Sequence, residues 1–154
     1  HCTQITNRYG AHAGDPALIS VARCIFREVG GNGLVGRLGG EEFGVAVAEI
    51  NLVDAWDTAD RIRVAIADID FRPGGNRHEI TVSIGVTVAR DVADFGAVFR
   101  DADARLYEAK AGGRNMIKIG SHGEQSMATS SDLTDALQKA RAVSYTQPRA
   151  HEPV

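Results

Sequence analysis

Apolar positions along the chain fall into helical and alternating stretches, separated by glycine-rich punctuation. Leu18, Val21, Ala22, Ile25 and Phe26 recur at helical spacing up to about Val29, which is the signature of one buried helix face. Asp15-Pro16 ahead of them reads as an N-cap followed by a first helical position. Gly30-Gly31-Asn32-Gly33 ends that helix. Two short apolar runs, 34–38 and 42–48, flank Gly39-Gly40 and predict a hairpin whose tight turn uses the glycines. Val53, Trp56, Ala59, Ile62, Ile66 and Ile69 form the apolar stripe of a helix over about 52–69, with Asp54, Asp57, Asp60 and Arg61 outside it. A loop around Pro73-Gly74-Gly75-Asn76 leads to residues 80–88, which alternate as a strand with one buried face. Within that strand, Gly85 marks a bulge or a close backbone approach. Phe95, Val98, Phe99, Ala102, Leu106 and Ala109 are the inner positions expected of a helix over 95–111, which Gly112-Gly113 stops, and residues 115–119 form a last short strand. From Gly120 the composition turns to Ser, Thr, Gln, His and Pro, a tail over 120–154 with one amphipathic helix expected at 131–141.

The order is helix, hairpin, helix, strand, helix, strand. It predicts an α/β fold of the α+β sandwich kind, a central and mainly antiparallel sheet flanked by helices. No internal repeat interrupts it.

Composition narrows the function classes. The chain has 154 residues, enough for one domain with a real core. A net charge of −3 gives no electrostatic reason to expect nucleic acid as a partner. No apolar run approaches the roughly 20 residues of a membrane span, and His1-Cys2-Thr3-Gln4 lacks the basic and apolar segments of a signal peptide. Two cysteines, Cys2 and Cys24, make no disulfide framework. A cytoplasmic location is expected from these features.

Candidate chemistry concentrates in Arg37-Leu38-Gly39-Gly40-Glu41-Glu42-Phe43. Glu41 and Glu42 follow the expected turn, and adjacent strand residues point to opposite faces, so the two acids have different tasks. Bare backbone beside carboxylates suits phosphates held through Mg²⁺, which takes one or two carboxylates plus phosphate oxygens. A solvated polar hairpin explains the same residues equally well. Asp15 before Pro16 is sufficient as a helix cap. Lys110 and Arg114 near a helix C-terminus are explained by its dipole alone. Tyr107 and Phe43 are expected in the core. The five histidines show no metal-ligand spacing.

Four segments in register then identify a family. Gly39-Gly40-Glu41-Glu42-Phe43 resembles the signature of GGDEF domains, the diguanylate cyclases, in its GGEEF spelling. Asn7-Arg8-Tyr9-Gly10 through Ala13-Gly14-Asp15 resembles the family's Asn-Asp-x-x-Gly-His-x-x-Gly-Asp segment. Thr81-Val82-Ser83-Ile84-Gly85-Val86 is similar to its Thr-(Val/Ile)-Ser-Ile-Gly-Val strand. Ala102-Asp103-Ala104-Arg105-Leu106-Tyr107-Glu108-Ala109-Lys110 with Gly113-Arg114-Asn115 resembles its Ala-Asp-x-Ala-Leu-Tyr-x-Ala-Lys…Gly-Arg-Asn stretch. The resemblance covers residues 1–119, an N-terminally incomplete GGDEF domain.

The resemblance implies condensation of two GTP molecules into cyclic di-GMP and pyrophosphate by a head-to-head homodimer, in bacterial second-messenger signalling. It implies two Mg²⁺ ions per site, with Glu41 and Glu42 as metal-binding and catalytic residues. Gly39 and Gly40 would let the hairpin backbone approach the nucleotide. Asp15 matches the residue that bonds guanine, and Lys110 and Arg114 match the pair that binds the terminal phosphates. An upstream sensory or regulatory domain is expected in the full-length protein. Three departures temper this. The family's first-strand metal Asp would fall before His1, so one carboxylate ligand is missing here. The guanine-binding Asn aligns with Thr6, the following Asp with Asn7, and the later His with Ala11. Gly30-Gly31-Asn32-Gly33 stands where many members carry a product-binding Arg-x-x-Asp, so no product-inhibition site is expected. The alternative implied by these departures is a degenerate, non-catalytic GGDEF domain acting as a nucleotide-binding regulatory or dimerisation module.

Overall fold

Helix α1 (Ala11–Val29) opens the computed structural model, which describes residues 11–90 and 92–123, with Asp135 and Gln138 beyond them, both helical. The 3₁₀ turn Gly30–Asn32 leads from α1 to strand β1 (Gly33–Gly39) and then to β2 (Glu42–Val47). Helix α2 (Leu52–Ala67) follows, then β3 (Ile84–Val88), helix α3 (Phe95–Ala111) and β4 (Ile117–Ser121). The helix-and-sheet class is the expected one. The strands of the described residues form two pairs, β1 antiparallel to β2 and β3 parallel to β4.

Several boundaries differ from expectation. Helix α1 begins at Ala11, four residues before Asp15, so Asp15 is not its N-cap. Ala11 and Ala13 favour continuing the helix backwards. Pro16 withholds one amide from the ladder, while its fixed φ already suits a helix. True side-chain caps occur elsewhere: Asn51 accepts from the Asp54 amide and Asp94 from the Ala97 amide, opening α2 and α3. The strand expected over 80–88 is a ladder only over 84–88. Ile80 is buried as the alternation requires, yet residues 80–83 have no strand partner among the described residues. The last strand starts at Ile117 and continues to Ser121, and the His122 amide still bonds to Val88 O at 2.8 Å. Of the helix expected at 131–141, only Asp135 and Gln138 are described.

Two apolar clusters hold these elements together. Ala17, Val21, Cys24 and Ile25 of α1 pack on Ile62 and Ile66 of α2 and on Ile80. Ala55, Trp56 and Ala59 on the N-terminal half of α2 pack on Ile117 and Ile119 of β4. Helix α3 lies against β3 at Gly85, where a Cβ atom would overlap Ala102 O and the Leu106 amide. Gly85 therefore marks a close backbone approach and not a bulge. Ala109 is fully buried, while Phe95 is 63% and Phe99 43% exposed on the groove that they line with Val98, Ala102 and Leu106. Tyr107, expected in the core, is 75% exposed, whereas Phe43 packs against the first cluster.

Candidate functional site

The hairpin turn is one residue later than the sequence suggests. Gly39 pairs with Glu42, and the ladder shifts between Arg37 and Gly39. The two loop residues are therefore Gly40 and Glu41, so Glu41 sits in the turn itself and Glu42 opens β2. Gly40 has φ +51, a left-handed conformation that glycine adopts without a Cβ penalty. No atom lies within 4 Å of where a Cβ at Gly39 or Gly40 would be, so the backbone at the tip is open. Arg37 sets the tip: its Nε and Nη2 both donate to Gly40 O, at 2.9 and 2.6 Å. The sequence reading missed this role, whose one signal is a guanidinium three residues before the turn carbonyl.

A second set of charges meets the hairpin from α3. Lys110 lies in the last turn of that helix, and its Nζ is 3.6 Å from Glu42 Oε1. Gly112 closes the helix through its amide to Glu108 O. Arg114 follows with φ +64, and its amide bonds to Ala109 O at 3.0 Å. A left-handed arginine is uncommon, because its Cβ crowds the following carbonyl.

Glu41, Glu42, Lys110 and Arg114 all line one groove of about 2370 Å³ between the two strand pairs. That volume exceeds the few hundred to 1,000 Å³ of an enclosed ligand pocket, and apolar core residues such as Val21, Ile25, Ile66 and Ile84 line it too, so the four charged residues make only one part of its wall. The structure thus gathers four of the expected site residues. Asp15 is exposed on α1 and is not part of the groove lining. Thr6 lies outside the described residues. Among the described residues, no three His, Cys, Asp or Glu side chains cluster as a ready-made metal cage. Exposed carboxylates and cations on one groove wall, with Glu42 beside Lys110, suit a ligand that brings its own negative oxygens and a hard cation.

The chain is similar to known proteins over most of its length. A family model described as "Diguanylate cyclase, GGDEF domain" matches residues 1–116. The probable diguanylate cyclase DgcF of Escherichia coli K12 is 39% identical over 126 residues, covering 79% of this chain and 40% of DgcF. The chain therefore spans less than half the length of that curated relative. Among solved structures, the diguanylate cyclase SiaD of Pseudomonas aeruginosa in complex with its activator SiaC superposes with a TM-score of 0.73 at 31% identity, over 77% of this chain and 46% of that one. The active GGEEF domain of a diguanylate cyclase from Vibrio cholerae superposes with a TM-score of 0.71 at 27% identity, over 82% of this chain and 78% of that domain.

Proposed function

This chain belongs to the GGDEF domain family of diguanylate cyclases, and on that footing we propose that it condenses two GTP molecules into cyclic di-GMP and two pyrophosphates. One observation carries the proposal: Glu42 at the hairpin meets Lys110 in the last turn of α3, on a groove that Glu41 and Arg114 also line. In each half of the reaction the 3′-hydroxyl oxygen of one GTP forms a bond to the α-phosphorus of the other. The bond from that phosphorus to the bridging oxygen of the β-phosphate breaks, pyrophosphate leaves, and the hydroxyl proton passes to a base. Two such steps close the ring, so two copies of the domain, each holding one GTP, face each other.

Lys110 and Arg114 would hold the terminal phosphates, the arginine as a planar fork and the lysine as a point charge. The open backbone at Gly39 and Gly40 lets the nucleotide approach the tip. Asp15 and Thr6 fall to the base: a carboxylate accepts from guanine N1–H and N2–H, and a hydroxyl makes fewer bonds there than an amide. Glu41 and Glu42 fit Mg²⁺, being exposed oxygen donors beside cations that steer phosphate oxygens to the same place. When bound, Mg²⁺ neutralises the triphosphate and polarises the reacting oxygens. The remaining contribution of the chain is positioning and charge complementarity, which dominate phosphoryl transfer.

The test is incubation with GTP and Mg²⁺ and detection of cyclic di-GMP, with Glu41→Ala as the control. Product formation that Glu41→Ala abolishes supports the cyclase. GTP binding without product, in a protein carrying its native flanking sequence, replaces it with the non-catalytic regulatory module.

A further inference from the structure

Three consecutive residues after α3 have positive φ: Gly113 at +119, Arg114 at +64 and Asn115 at +48. Glycine tolerates this, asparagine tolerates it in part, and arginine does so at a conformational cost. Such a run persists only where its surroundings hold it. Backbone bonds from the Gly112 and Arg114 amides to Glu108 O and Ala109 O fix its start. Its end is fixed by another element. Arg63 Nη1, on α2, donates to Asn115 Oδ1 at 3.2 Å across 52 residues of sequence. Arg63 is itself immobilised, because its Nε and Nη2 both donate to Asp60 Oδ1, at 3.0 and 2.8 Å. That pair is largely shielded, with side-chain exposures of 25% for Arg63 and 14% for Asp60. The arrangement thus has three supports: a helix, a shielded ion pair and a hydrogen bond to the residue next to Arg114.

We propose that Arg63 is a positioning residue for the polyphosphate site, holding the left-handed turn that carries Arg114 into the groove. The inference rests on the proposed GTP chemistry for its functional meaning, since Arg114 is the side chain given to the terminal phosphates. Asp60 orients the guanidinium, and Asn115 is the grip through which it acts. An asparagine suits that grip twice over, as the best non-glycine residue for a left-handed φ and as a short acceptor. Lysine at position 63 cannot reproduce it, because one ammonium cannot span Asp60 and Asn115 in the fixed geometry of a planar fork.

The experiment compares wild type with Arg63→Met and with Asn115→Gly, which keeps the left-handed backbone free of strain while removing the acceptor. Residue-resolved amide hydrogen exchange reads the turn, and calorimetric titration with GTP and with GMP reads the site. Both variants are expected to accelerate exchange of the Arg114 amide by about 10-fold while exchange in the α1–α2 core is unchanged. Both are expected to weaken GTP by about 10-fold and GMP by less than about twofold, since only the terminal phosphates reach Arg114. Unchanged exchange at Arg114 overturns the proposal, and so does an equal loss of GTP and GMP affinity. If wild type takes up neither nucleotide, the GTP reading falls, and Arg114 exchange alone then decides whether Arg63 holds the turn.

Discussion

Lys110 Nζ stands 3.6 Å from Glu42 Oε1, so a cation suited to phosphate and a carboxylate suited to metal are paired with each other. The lysine side chain is 43% exposed and the glutamate 52%, which places the pair among those worth at most about 1 kcal/mol. It is weak enough to part when a ligand arrives and specific enough to be felt.

Removing that partner frees the lysine. Glu42→Gln is expected to tighten binding of inorganic triphosphate, titrated without divalent cation, by about two- to fivefold. With Mg²⁺ and GTP the sign is expected to reverse and cyclic di-GMP production to fall by at least about 10-fold, since the proposed function gives Glu42 to the metal. Triphosphate affinity that does not move would show that the pair does not compete with phosphate.

Gly85 is expected to tolerate no side chain. A Cβ there meets backbone atoms of α3 at Ala102 and Leu106, which cannot rotate away. Gly85→Ala should destabilise the domain by about 3 kcal/mol, read from urea unfolding. A loss below about 1 kcal/mol would mean that α3 can lift off β3 at little cost.

Gly40 offers the contrast. Its Cβ would meet nothing within 4 Å, so only the left-handed φ of +51 opposes a substitution. Gly40→Ala should cost about 1–2 kcal/mol, and Gly40→Asn less, since asparagine tolerates this region. The order of unfolding midpoints, wild type above Asn above Ala, checks it.

Burial pushes the Cys24 thiol up from its ordinary value of 9.0, with Arg27 opposing and Glu28 adding to the shift. In a Cys2→Ser background, alkylation by iodoacetamide at pH 8 is expected to be at least about 10-fold slower in the folded protein than in urea. The raised value favours the protonated fold. This contribution is therefore full below pH 9 and is lost as the pH climbs through the folded value. Cys24→Ala should flatten that alkaline loss.

The sequence made the hairpin, both flanking helices and the Lys110–Arg114 pair legible, because each rests on local pattern: glycines at a turn, a 3.6-residue period, a glycine stop. Other features escaped it. Asp15 before Pro16 looks like a cap, but two alanines upstream let α1 extend past it. The one-residue shift of the turn onto Gly40-Glu41 depends on an irregularity between Arg37 and Gly39, which only strand pairing reveals. The bond from Arg63 to Asn115 joins residues 52 apart, and no local signal encodes such a distance.

The seat of α3 at Gly85 has a mechanical consequence. With no side chain between them, β3 and α3 are in backbone contact at Gly85, and the parallel partner β4 is tied to β3 at both ends, through Ile84 N to Met116 O and His122 N to Val88 O. Lys110, in the last turn of α3, and Arg114, between α3 and β4, are thus carried by elements braced on β3, and the ion pair to Glu42 ties the hairpin to them. A shift of α3 on its Gly85 seat would therefore change the distance between Lys110 and Glu42.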